Sequence, residues 1–230
     1  MSGCRSWFCG CQRTGIVNAL ERLSLTDQVV ESIRSEILDG DLPPGFSLRE
    51  HGLSDRFDVG RSTVREAIKV LVAEGLVTHA HHRGAIVTRH TPDDVDDLIA
   101  ARIMIERHVA SVGIGDPAQA RAALDDLKQA VSTKDWRAGA AADEAFHEGL
   151  VKAVGSPRIS QFHSQLAREM RLLLVSADRY QPEPDKVEEH ARLLTLALSE
   201  DRAAYLTAAI HHITRSRATL LLVAERTVAV

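Results

Sequence analysis

Four side chains in the second half of this sequence have the types and spacing of a metal centre. In the helical stretch AADEAFHEGL, residues 141–150, Phe146 and Leu150 share one stripe with Val154, while Glu144, Glu148 and Lys152 point the other way. Asp143 and His147 fall inside the apolar stripe, one turn apart. Burying a carboxylate and an imidazole is costly, on the order of several kcal/mol, unless something pairs with them. Two further helical stretches repeat the anomaly. His190 borders the stripe of Val187, Ala191, Leu194 and Leu198. His212 sits at the edge of the stripe of Leu206, Ala209, Ile213 and Leu220, whereas His211 points almost directly away.

A divalent cation would offset the desolvation of all four groups. Three imidazoles and a carboxylate suit zinc or nickel, and also manganese or iron, and four protein ligands leave room for water or a ligand oxygen. Periodicity alone does not bring three helices together, so a hydrogen-bonded polar cluster in the core stays as the alternative. His163, beside Leu166 and Met170, is expected to be a hydrogen-bonded core histidine. Arg102 and Glu106 share a stripe with Val95, Leu98, Ile105 and Val109. They form either a buried ion pair one turn apart or an arginine offered to an organic anion, its planar fork matching a carboxylate. The same centre could polarise a carbonyl or activate water, as in a metalloenzyme, or act as a pure metal sensor. Only Glu106 stands near enough in pattern to serve as a base, so the chain is expected not to be an enzyme.

The elements that must position these groups are helical. The 230 residues are 44% hydrophobic and 26% charged, enough for one large domain or two modest ones. Aromatic content is only 4%, and Ala-, Leu-, Arg-, Glu- and Asp-rich stretches dominate after residue 92. Apolar periodicity predicts helices over roughly 93–112, 117–132, 134–154, 157–179, 184–199 and 201–225, six in all. No apolar run reaches the roughly 20 residues needed to cross a bilayer, so no membrane partner is expected. Residues 1–24 lack the apolar core of a secretory signal, which implies a cytoplasmic protein. They hold all three cysteines, Cys4, Cys9 and Cys11, and are expected to be a disordered leader rather than a disulfide framework or zinc site.

Ahead of residue 90 the pattern changes. A helix over 26–39, capped by Thr26, ends at Gly40, and DLPPGFSL makes a turn. Short helices follow over 48–57 and 61–74, and LVTHAHHRGAIVT reads as a small hairpin around Arg83-Gly84. Three short helices and a hairpin are the layout of a winged helix-turn-helix, whose third helix enters the major groove. Arg61, Ser62, Thr63 and Arg65 lie off the apolar stripe of that helix, where side chains reach bases or phosphates. The net charge of −4 does not advertise nucleic-acid binding, so the case rests on this local placement. RHTPDD, with Pro92 suited to a helix start, marks the boundary between a unit spanning 25–90 and one spanning 91–230.

The run from LPPGFSL through GRSTVREAIKVLVAEGLV to HHRGAIVT resembles the DNA-binding domain of the GntR family of bacterial transcription regulators. The resemblance implies DNA contacts for Arg61 and Arg65, with help from Thr63 and the wing residues Arg83 and Gly84. Gly60 stands where members usually place a capping Ser or Thr, and His51 where many carry an arginine that touches DNA. The stretch from 92 to about 225 resembles the FCD effector domain of the FadR subfamily. It shows in ARIMIERHVA, in Asp143-x-x-x-His147, in Glu189-His190 and in His212. This implies that Asp143, His147, His190 and His212 hold one divalent metal and that Arg102, with Glu106 beside it, faces a small organic acid. Six helices rather than seven point to the VanR-like branch. The expected molecule is mostly α, a winged helix-turn-helix followed by an antiparallel six-helix bundle. It is expected to act as a homodimeric regulator, a repressor rather than an activator, on a palindromic double-stranded DNA operator.

Overall fold

The computed structural model describes residues 23–80, 83–176 and 184–228. The leader with its cysteines, and the end of the predicted 157–179 helix, lie outside them. In the head, α1 spans Leu25–Leu38, α2 Glu50–Phe57 and α3 Arg61–Ala73. An antiparallel wing of β1 (Val77–Ala80) and β2 (Gly84–Val87) follows, pairing Val77 with Val87 and Ala80 with Gly84. Val29, Ile33 and Ile37 of α1 meet Val64, Ile68 and Leu71 of α3 and Leu76 in one apolar core. The cap of α1 is Ser24 rather than Thr26. Its hydroxyl takes the N–H of Asp27, whose carboxylate returns the bond, so the helix starts one residue earlier than the sequence pattern suggested.

Thr91 and Asp94 close a second capping box at the start of α4 (Pro92–Val112), with Pro92 in the first turn. The remaining helices are α5 (Ala118–Thr133), α6 (Trp136–Lys152), α7 (Pro157–Ser176), α8 (Pro184–Leu198), α9 (Arg202–Arg215) and α10 (Arg217–Val228). The helix expected over 201–225 is thus broken at Ser216. Just ahead of the break the Thr214 hydroxyl donates to the carbonyls of Ile210 and His211, at 2.8 and 3.2 Å, a local competition that bends helices. Seven helices stand among the described residues where six were expected, and the ground for the VanR-like assignment falls away. Val95, Leu98 and Ile105 of α4 pack with Phe146, Leu150, Leu166, Leu194, Tyr205 and Leu220 in the bundle core. Gly149 lets α6 close onto α5, since a Cβ there would lie 2.5 Å from the backbone N of Ala120.

The two cores touch through α7. Leu172, 1% exposed, belongs to the core of the head although it is carried by a bundle helix.

Candidate functional site

Three helices bring three imidazoles together. One ligand nitrogen each from His147 (α6), His190 (α8) and His212 (α9) lies within 4.8 Å of the others. His147 Nε2 and His212 Nε2 are 2.9 Å apart. Two of the remaining ring nitrogens have neighbours in the protein. His190 Nδ1 is 2.6 Å from the Lys186 carbonyl, one turn back on its own helix, so it donates there and leaves Nε2 bare. His212 Nδ1 lies 3.2 Å from Glu189 Oε2, close enough for an ion pair but without hydrogen-bond alignment. Asp143 Oδ1 approaches His190 Nε2 in the same way, at 3.2 Å. Asp143 therefore joins the cluster through His190 and stands outside the group of three mutually close nitrogens. His211, one residue along, is 76% exposed.

The electrostatics divide the cluster: His147 is held neutral, whereas His190, despite its burial, is raised by the Asp143 carboxylate beside it. Burial, with the charges of His212 and Arg102, holds His147 well below the usual histidine range. Burial alone would raise Asp143, but its contact with His190 and the field of His147 outweigh this and keep it well below the carboxylate range. Contact with His212 holds Glu189 down to about 2. A buried His190 nitrogen without a hydrogen bond, beside two more imidazoles, is a donor set that fits a divalent cation.

A cavity of about 250 Å³ opens beside these rings, and Asp143, His147 and His212 line it together with Arg102. Arg102 is 5% exposed and its Nε is buried with no hydrogen-bond partner. Its Nη2 is 3.9 Å from Glu106 Oε1, too far for a hydrogen bond. Glu106 is absent from the cavity wall. Its carboxylate takes the Tyr205 hydroxyl at 2.5 Å, away from the residues that line the cavity. His163 departs from expectation too. It is fully buried, yet neither ring nitrogen has a hydrogen-bond partner; burial and the charge of Arg102 keep it neutral.

Sequence reasoning missed the residue that joins this cavity to the head. Arg171 of α7 lines the cavity and binds Glu144 Oε2, another lining residue, at 3.0 Å. Its Nε donates to the carbonyl of Leu38 at 3.2 Å and its Nη2 to Asp39 Oδ1 at 3.1 Å, where α1 ends. No periodicity could show this, because the partners stand 133 and 132 positions away. Glu189 was legible only as the neighbour of His190.

On the head, Arg61, Ser62 and Arg65 are exposed at the start of α3, and Thr63 is half-buried. Gly60 provides the N-cap without a side-chain bond, leaving the first N–H groups of α3 without a side-chain acceptor. Arg61 Nη2 lies 3.4 Å from His51 Nδ1, and Arg65 Nε donates to Glu50 Oε2 at 2.7 Å. The structure thus joins His51 to the arginines through α2. Arg83 and Gly84 stand apart on the exposed wing, where Gly84 takes φ +72 with open space around it.

Residues 25–87 match the model for bacterial regulatory proteins of the gntR family, and residues 97–215 match the FCD domain. The chain is 33% identical over 190 residues to the HTH-type transcriptional regulator BphR of Paraburkholderia xenovorans, covering 77% of this chain and 78% of that one. It is 26% identical over 186 residues to the gluconate operon transcriptional repressor of Bacillus licheniformis, covering 76% and 73%. The fold is similar to the crystal structure of a GntR transcriptional regulator from Rhodococcus sp. RHA1, with TM-score 0.79, 26% identity and coverage of 86% and 98%.

Proposed function

The chain belongs to the GntR family of bacterial transcription regulators with an FCD domain, and from that premise we propose that it is a repressor released by a small organic acid bound beside a divalent cation. One observation carries the proposal: three imidazoles cluster, and two of them, His147 and His212, line a cavity that also holds an arginine with an unpartnered, buried Nε. His147, His190 and His212 would hold the cation, with Asp143 as a further ligand or as the carboxylate orienting His190. The cation supplies a Lewis-acid position for a carboxylate oxygen.

The chain's own residues do the rest. Arg102 presents its fork to the acid, and Glu106 stays engaged with Tyr205. Glu189 and the Lys186 carbonyl keep two imidazoles turned inward. Arg61, Arg65, Ser62, Thr63 and His51 meet the major groove, and Arg83 and Gly84 follow the adjacent minor groove. Two heads paired through their bundles would read a palindrome. Arg171 carries the message: an acid that draws Glu144 or Arg171 toward the cavity weakens the hold of Arg171 on the end of α1 and shifts the head. A relative named for a gluconate operon makes polyhydroxy carboxylates the first class to test.

The test is a gel shift on the operator with metal-loaded protein and a panel of small carboxylates. One acid should release the operator, and Arg102→Ala should lose that response while keeping its metal. Release by metal alone, with every acid silent, would replace this reading with a metal sensor.

A further inference from the structure

A second cavity, of about 340 Å³, lies where the head meets the bundle. Its apolar walls are Ile37 of α1, Leu42, Pro43 and Pro44 of the turn after it, Val175 of α7 and Val223 of α10. Arg89, in the link between β2 and α4, and Arg226, exposed near the end of α10, supply its only charges among the described residues. It shares no lining residue with the cavity beside the histidines.

Both arginines are without a carboxylate. Neither makes an ion pair or side-chain hydrogen bond among the described residues, and Arg89 Nε is buried with no partner. The two acids that flank the lining residue Gly40 are already engaged: Asp39 by Arg171 at 3.1 Å and Asp41 by Arg137 at 2.6 Å. The guanidinium of Arg89 lies in the space left by the missing side chain of Gly45, where a Cβ would come 2.2 Å from its Nε. That glycine takes φ +83, so the Pro-Pro-Gly turn both shapes the wall and makes room for the charge. A guanidinium in such a place favours an anion, and its fork matches the oxygens of a carboxylate or related acid group. Apolar walls on the remaining sides favour a ligand with a carbon body over a bare inorganic ion.

We propose that this junction cavity binds an organic anion with an apolar body. The acid group lies on Arg89 and Arg226, and the body lies against Pro43, Pro44, Val175 and Val223. Such a ligand touches the head, the link and the bundle at once. The site stands independently of the histidine cluster and of any acid bound there.

The test uses the full-length chain and the fluorescent aryl sulfonate 8-anilinonaphthalene-1-sulfonate. The expected result is one probe per chain, displaced by octanoate, with affinity about tenfold weaker in Arg89→Gln/Arg226→Gln. Arg102→Gln, in the other cavity, should bind the probe as tightly as the unaltered chain. Melting temperature reports whether the double variant folds; Arg226→Gln alone, at an exposed position, is the second variant and should weaken binding about threefold. Unchanged affinity in the folded glutamine variants would overturn the proposal. So would equally tight binding of the uncharged N-phenyl-1-naphthylamine.

Discussion

On the recognition helix Arg65 stands in water with the Glu50 carboxylate 2.7 Å away, whereas in the bundle Arg102 is 5% exposed and its nearest carboxylate oxygen is 3.9 Å away. Both arginines come from amphipathic helices, yet their energetics are opposite. An exposed pair such as Arg65–Glu50 is worth only about 0.2–1 kcal/mol, so Glu50 can yield the arginine to a phosphate or base at little cost. A buried polar group without a partner costs about 1–3 kcal/mol, a cost that an anion bound to Arg102 would remove. The head keeps Arg65 paired and ready to exchange; the bundle keeps the Nε of Arg102 buried and unpaired.

The largest effect should come from the unpaired side. With a divalent cation at about 1,000 times its Kd, binding stabilises the fold by about 4 kcal/mol, which for a chain of this size raises Tm by roughly 10 °C. Adding EDTA should therefore lower the melting temperature of the unaltered chain by that order, and His190→Ala should melt low with or without EDTA. An EDTA-insensitive wild type would show that the histidines satisfy one another.

On the paired side, Arg65→Ala should weaken operator binding by about 1–3 kcal/mol in a gel shift while leaving folding stability within about 0.5 kcal/mol of the parent. A variant that loses stability but not operator affinity would reverse the comparison. Arg171→Gln sits between the two regions. Calorimetry should show the acid still bound, while its effect on operator affinity falls by about 1–2 kcal/mol of coupling. Loss of acid binding together with coupling would make Arg171 a ligand contact rather than a link. The smallest effect belongs to His211→Ala, where metal content and Tm should both hold, since the ring is 76% exposed. Losses equal to those of His212→Ala would put the wrong histidine in the centre.

Much of this was legible from the order of residues. The helix-turn-helix and wing could be read because capping residues, turn glycines and apolar spacing all act over a few positions. The inward histidines could be read because helical periodicity places each one on its own stripe, and His211 against His212 was separable for the same reason. What was not legible acts across the chain. Glu106 has the right spacing to pair with Arg102, but Tyr205, 99 positions on, engages its carboxylate away from the residues that line the cavity. The link from Arg171 to Leu38 and Asp39 depends on how α7 crosses the head, which no local pattern encodes. Ser24 displaced Thr26 as cap because the capping box needs Asp27 three positions later, a reciprocal bond stronger than the single hydroxyl contact. The break at Ser216 leaves the apolar stripe of the helix intact, so periodicity ran straight through it.

The measurement that bears most directly on the account is a calorimetric titration of a small organic acid into metal-loaded and metal-stripped protein. Binding that needs the metal, and that disappears in Arg102→Ala with metal content unchanged, is the predicted result. Equal binding after the metal is stripped would contradict the account, because the three imidazoles would then have no part in holding the acid.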